Sequence, residues 1–281
     1  MLDRRTALKS GAAALAFAAA PRAEAADAQL AALFDRFVRE NLDLSPYTAT
    51  SLGLDTGKRA HQRGETDDAS LAGITKTKAL TASQRQRLAR INRGRLRGDD
   101  RLNYDIVLYG LAAADEAGKA FAYGPASAGQ HYILSQLTGA YCNIPAFLDS
   151  QQPVETRADV EAYMARLEGF ARAMDQEVEV SRHDMAQGVV APDFALAKTL
   201  TQMAQLRAEK PDTCNLVMSV VNRAHAKTLS GDWQAAGARI VAQKVYPALE
   251  RQIALVKQMQ AKARHDAGCW ALPKGGAYYR A

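Results

Sequence analysis

The sequence lacks most of the features that announce chemistry. It holds three cysteines in 281 residues and no Cys-x-x-Cys. An odd count leaves at least one thiol unpaired, so the fold does not depend on disulfide staples. The sequence leaves open which of Cys142, Cys214 and Cys269 could pair, and each reads first as a small core residue. No two of His61, His131, His183, His225 and His265 lie one helical turn apart. No single helix face can therefore offer the paired imidazoles of a zinc site. There is no Gly-x-Ser-x-Gly, no Gly-x-Gly-x-x-Gly and no phosphate-cradling glycine loop, which removes the usual signs of a nucleophile elbow or a nucleotide site. Strand-like alternation and a fixed internal repeat are both missing, and without a repeat a stacked solenoid is disfavoured.

The longest apolar run, Gly11 to Ala20, is too short to span a bilayer, which takes about 20 residues. It follows the twin-arginine opening Asp3-Arg4-Arg5-Thr6-Ala7-Leu8-Lys9 and precedes Ala23-Glu24-Ala25, with small residues where a signal peptidase reads. Basic, apolar and small-residue regions in that order predict a signal peptide over residues 1–25, export by the twin-arginine route to the periplasm, and no stable membrane anchor.

Cleavage after Ala25 leaves residues 26–281. The chain carries +6 in all; the leader holds Arg4, Arg5, Lys9 and Arg22 against Asp3 and Glu24, so the remainder stays mildly basic. Basic residues concentrate in one patch: Arg85, Arg87, Arg90, Arg93, Arg95, Arg97 and Arg101. A single-stranded nucleic-acid surface adds stacking aromatics to such a stripe. None lies within this one, so the patch reads as a solvated helix face and no nucleic-acid partner is expected.

What the chain does have is helical periodicity. Leu30, Leu33, Phe34, Phe37, Val38 and Leu42 recur at three- and four-residue steps. Ser45-Pro46 is a cap with proline in the first turn, and Gly53 closes that short helix. Residues 54–67 are polar with two glycines and read as a surface loop. A helix is expected from about Ala69 to Leu96, with a break at Thr81-Ala82-Ser83. The next starts at Asp99 or Asp100, with Leu102, Ile106, Leu108, Tyr109 and Ala113 as its apolar side. Residues 126–153 are irregular: two short pieces punctuated by Gly129, Gly139, Pro145 and Pro153.

Thr156 with Asp159 predicts a capping box, opening a long helix through Val160, Tyr163, Met164, Leu167, Phe170, Met174 and Val178. Gly188 ends it. Glu177 and Glu179, two apart on that helix, point to different sides and read as solvated. Pro192 and Pro211 open further helices. A last long helix runs from about Asp232 to Ala267, kinked just before Pro247. The expectation is one all-α domain over residues 26–281, an irregular multi-helix bundle of long amphipathic helices with little or no sheet.

The end of the chain changes character. Trp270-Ala271-Leu272-Pro273-Lys274-Gly275-Gly276-Ala277-Tyr278-Tyr279 is a turn followed by two tyrosines. It reads either as a docking or fraying tail or as a binding turn.

Four segments carry a family resemblance. Leu44-Ser45-Pro46-Tyr47-Thr48-Ala49-Thr50-Ser51-Leu52-Gly53 resembles the Ser-Pro-x-x-Ala-Thr-x-x-Gly opening of the bacterial "domain of unknown function 885" family. Ala162-Tyr163-Met164-Ala165-Arg166-Leu167 is similar to its Tyr-x-x-Arg-Leu helix. Gly188 with Pro192 fits the glycine–proline step, and Leu272 to Tyr279 resembles its Leu-Pro-x-Gly-x-x-Tyr-Tyr turn. Members of that family are typically about twice this length, and their second half carries a His-Glu-x-x-x-Gly-His-His motif of the zinc-peptidase kind.

This chain stops just after the turn and contains no His-Glu dipeptide. The resemblance thus implies the N-terminal half of a zinc metallopeptidase-like protein, inactive alone, with no catalytic residue, no metal ligand and no cofactor of its own. The zinc belongs to full-length relatives. The implied partners are a peptide substrate or a separately encoded C-terminal half. The implied contact residues are Gly275, Gly276, Tyr278 and Tyr279 in the turn. The alternative is a non-catalytic periplasmic binding or interaction protein. With one cleft wall missing, residues 270–281 are expected to be among the least ordered, and truncation after Gly268 to cost within about 1 kcal/mol.

Overall fold

The computed structural model describes residues 26–125 and 130–280; the expected signal peptide lies outside the described residues. Among the described residues the fold is all-α, without a strand. An isolated bridge between Ser135 and Thr138 closes a turn. The chain divides into two compact units. One comprises the described part of Met1–Asn41 with Lys78–Glu116; the other comprises Leu42–Thr77 with Ala117 onward. Each boundary falls within a helix, so no linker composition marks it, and the sequence reads as a single domain.

The first unit takes most of helix α1 (residues 26–44), the end of α3 (Leu71–Leu88) and most of α4 (Gly98–Ala120). Leu30, Phe37, Leu88, Ile91, Leu96 and Tyr104 form its core. α3 runs unbroken through Thr81-Ala82-Ser83, because these residues lower helix propensity by only tenths of a kcal/mol each and none is proline or glycine.

The arginine patch is less solvated than its sequence implies. Arg87 lies over the Phe37 ring at 5.0 Å and grips Glu40 with two bonds of 2.7 and 2.5 Å. Arg85 bonds the buried Asp115, and Arg93 holds Asp105 through two bonds of 2.6 Å. Only Arg90, Arg95, Arg97 and Arg101 stay exposed without such a partner.

The face of α4 is also rotated from expectation. Tyr104 is buried and Val107, Leu108 and Leu111 pack beside it, whereas Leu102, Ile106 and Tyr109 are exposed. The Arg85–Asp115 pair favours the first face, since turning α4 the other way would swing Asp115 out to solvent and away from Arg85.

The second unit is built around α6 (Arg157–Ala186), whose capping box forms as predicted: Thr156 accepts from the Asp159 amide and Asp159 from the Thr156 amide. Val160, Tyr163, Leu167, Phe170, Met174 and Val178 are all buried along it. Around it lie α2 (Pro46–Ser51), α5 (Ala140–Ser150), α7 (Asp193–Ala208), α8 (Asn215–Ala226), α9 (Trp233–Ile240) and α10 (Tyr246–Gln260). α5 continues through Pro145 instead of splitting there. The last long helix is interrupted where proline predicts: a π turn, Val241–Val245, separates α9 from α10 just before Pro247. It ends at Gln260, short of Ala267.

Residues 54–67 are not a plain surface loop. A 3₁₀ turn, Gly57–Gly64, drives Gln62 and Asp55 into the interior. Arg63 bridges Asp55 at 3.0 Å to Asp159 at 2.7 Å, which ties the segment to the start of α6. Charged residues that look solvated in sequence are thus spent on one another.

Candidate functional site

The site is assembled from a buttress and a groove within the second unit. The buttress is Arg166, fully buried on α6. Its guanidinium donates to the carbonyls of Pro46, Gln62 and Glu65 at 3.1, 2.9 and 2.8 Å, to the Thr50 hydroxyl at 2.8 Å and to the Gln152 side chain. It also lies 5.1 Å from the Tyr47 ring centroid and 5.0 Å from that of Phe147. Burial pulls its pKa down to about 10. The Ser-Pro-x-x-Ala-Thr segment and the Tyr-x-x-Arg-Leu segment therefore meet at this one side chain.

Above the rings of Tyr47 and Phe147, 4.6 Å apart and edge to face, opens a cavity of about 600 Å³. An adjoining cavity of about 510 Å³ shares Ala69, Gly139, Asn143 and Glu177 with it, so the two make one groove. Tyr47, Ile144 and Phe147 give it an apolar wall, and Asp67, Asn143 and Glu177 give it a polar one. Asp67 accepts from Ser45 Oγ at 2.8 Å and from the Tyr47 amide at 3.0 Å, capping α2 from outside that helix. Burial raises the Asp67 pKa.

Glu177 is the least expected member. Both its carboxylate oxygens accept from the Ala140 amide, at 2.7 and 2.9 Å, and one accepts from Gln252 Nε2 at 2.8 Å. The start of α5 therefore points at the carboxylate, a favourable dipole arrangement. Gly139 makes the approach possible: its φ is +117°, and a Cβ there would fall 2.9 Å from Leu134 Cδ2. Burial nevertheless dominates and pushes Glu177 up to about 7. The expectation that Glu177 and Glu179 are both solvated is corrected: Glu179 is exposed, but Glu177 is buried. The available signal was its place between Met174 and Val178 on the apolar face of α6.

The C-terminal turn lies outside this groove. Gly275 is buried, where a Cβ would meet the Cys269 carbonyl oxygen at 1.8 Å, and Gly276 is exposed. Tyr278 packs against Phe121, Tyr123 and His131 at 5.0, 5.9 and 5.5 Å, and its hydroxyl donates to the Gln130 carbonyl at 3.1 Å. Tyr279 is 81% exposed. The structure thus brings Gly275 and Tyr278 into the fold and leaves Gly276 and Tyr279 at the surface. The turn is anchored at one point, where Leu272 is buried with Phe121, Tyr123 and Val189.

Among the described residues no group of three or more His, Cys, Asp or Glu is placed to hold a metal ion. His183 and His265 instead contact single aspartates, Asp184 and Asp193. The three cysteines are free thiols. No described helix is long and apolar enough to cross a membrane.

A family model described as "Bacterial protein of unknown function (DUF885)" matches residues 46–281. The chain belongs to this family. No curated protein matches it significantly. Among solved structures, "the putative lipoprotein from Colwellia psychrerythraea" shares 20% identity with this DUF885 chain at a TM-score of 0.79. That match covers 91% of this chain and 45% of the other, so this DUF885 chain spans less than half the length of that relative. At such identity the likeness concerns the fold.

Proposed function

We propose that this DUF885 chain is the helical scaffold half of an exported, peptidase-like protein. On this reading it presents a peptide-binding groove to a catalytic half that supplies the metal, and it hydrolyses nothing alone. The observation that carries the reading is the groove itself: an apolar wall beside convergent polar groups is the form small-ligand and peptide sites take. The 45% coverage of a longer solved relative supports the division of labour. The twin-arginine leader and the lipoprotein name of that relative support export.

The test has two arms. Purified residues 26–281 are incubated with a mixed peptide library and zinc, alone and with the separately produced C-terminal half of a longer DUF885 protein. Cleavage is expected only in the mixture. Cleavage by the chain alone would overturn the scaffold reading. For export, replacing Arg4 and Arg5 by lysine is expected to hold a fused reporter in the cytoplasm, and unchanged export would remove the twin-arginine route.

A second reading, a free-standing periplasmic binding protein, is favoured by the core of the second unit, which closes around α6 within this chain. A monodisperse chain that melts cooperatively and fails to bind any C-terminal half would select it.

A further inference from the structure

The groove is charged on one side only. Across both cavities no lining residue is Lys, Arg or His, although the whole chain is net positive. Asp67 and Glu177 both line it, and neither forms an ion pair with a cationic side chain among the described residues. Arg166, a buried cation close by, spends its hydrogen bonds on carbonyls, Thr50 and Gln152, and acts on Asp67 only through space. Tyr47, on the wall, has a hydroxyl sealed from solvent and without a hydrogen-bond partner. Carboxylates held away from water without a cation hydrogen-bonded to them are costly, and a ligand that brings one recovers that cost on binding.

We infer that this groove takes a cationic side chain of a peptide, a lysine or arginine, with its aliphatic stem along Tyr47, Ile144 and Phe147 and its charged head between Asp67 and Glu177. The inference rests on the peptide-groove reading above and adds its specificity. The stem matches the wall because long basic side chains bury their methylenes on apolar surface while the head keeps its polar partners. Asn143, at the junction of the two cavities, is placed to accept a further bond from the head. Burial raises the pKa of both Asp67 and Glu177, and a cation bound between them would act in the opposite direction.

The test measures binding of three capped tripeptides to the purified chain by calorimetry at pH 8: acetyl-Ala-Lys-Ala-amide, and the same peptide with norleucine or acetyl-lysine in the centre. The lysine peptide is expected to bind at least about tenfold more tightly than either neutral one, as charge-assisted bonds require. Asp67→Asn is expected to remove most of that preference while leaving norleucine binding in place. Because the peptide series uses the unaltered chain, it decides the matter even if the variant fails to fold. Equal binding of all three peptides would overturn the cationic specificity but leave the peptide groove standing. No binding of any peptide would overturn both. Cadaverine binding as tightly as the lysine peptide would reassign the site to free amines and overturn the peptide as occupant.

Discussion

Arg166 on α6 donates from Nη2 to the hydroxyl of Thr50 on α2 at 2.8 Å. Residues 116 apart in sequence are thereby locked, and the same guanidinium reaches the carbonyls of Pro46, Gln62 and Glu65. The arginine and threonine of the two family segments are thus explained by packing: they hold up the wall of the groove and do not enter it. Arg166→Leu would take a donor away from five acceptors. It is expected to destabilise the fold by about 3 kcal/mol or more, with Thr50→Val costing only about 1. Urea denaturation checks both, and a loss below about 1 kcal/mol for Arg166→Leu would show that water replaces the guanidinium freely.

Glu177 predicts a dependence of stability on pH. Burial raises its folded pKa from the ordinary 4.5 to about 7, so between these values the folded chain binds more protons than the unfolded one. The resulting stability is fully present below about pH 4.5 and is lost as the pH rises through 7. Glu177→Gln, nearly the same shape, is expected to flatten this part of the profile by roughly 2–3 kcal/mol. Melting temperatures from pH 4 to 8 measure it, and equal slopes in both proteins would show that Glu177 is ionised throughout.

The legibility of these features in the sequence follows their range. α6 is plain there because its signals are local: a capping box from Thr156 to Asp159 and apolar residues at steady steps. The kink before Pro247 is equally local. Glu177 is not, since its principal donor, Ala140, lies 37 residues away on another helix. Its charge looks like solvent exposure until that amide is in place. The α4 face fails for a related reason. Leu102, Ile106 and Tyr109 make the more obvious stripe, but Arg85, thirty residues away, fixes which side Asp115 faces. The groove combines α2, α5, α6 and a polar segment between α2 and α3, and no single window of sequence contains it.

The C-terminal turn is expected to matter more for stability than its position at the chain end implies. Truncation after Gly268 removes the buried Leu272, the Tyr278 ring and the Pro273 carbonyl that accepts from Tyr123 at 2.9 Å. Phe121, Tyr123 and Val189 lose their cover. The expected cost is about 2–4 kcal/mol, as for deletion of a core leucine with its neighbours. Tyr279→Ala, at a residue 81% exposed, should change stability by less than about 0.5 kcal/mol. Chemical denaturation of both variants separates the two tyrosines, and a truncation that costs nothing would return the tail to a surface role.

Leu102, Ile106 and Tyr109 on α4 are 57, 59 and 79% exposed and follow one another at four- and three-residue steps. They form an apolar stripe that the core of the first unit does not use. Replacing all three with glutamine removes apolar surface from water contact without opening a cavity, so folding stability should stay within about 1 kcal/mol. Self-association at high concentration and binding of a hydrophobic dye should both fall. Thermal melting and sedimentation of the triple variant provide the check. A melting point lower by many degrees would show that these side chains pack in solution, and that α4 sits in its unit with the other face inward.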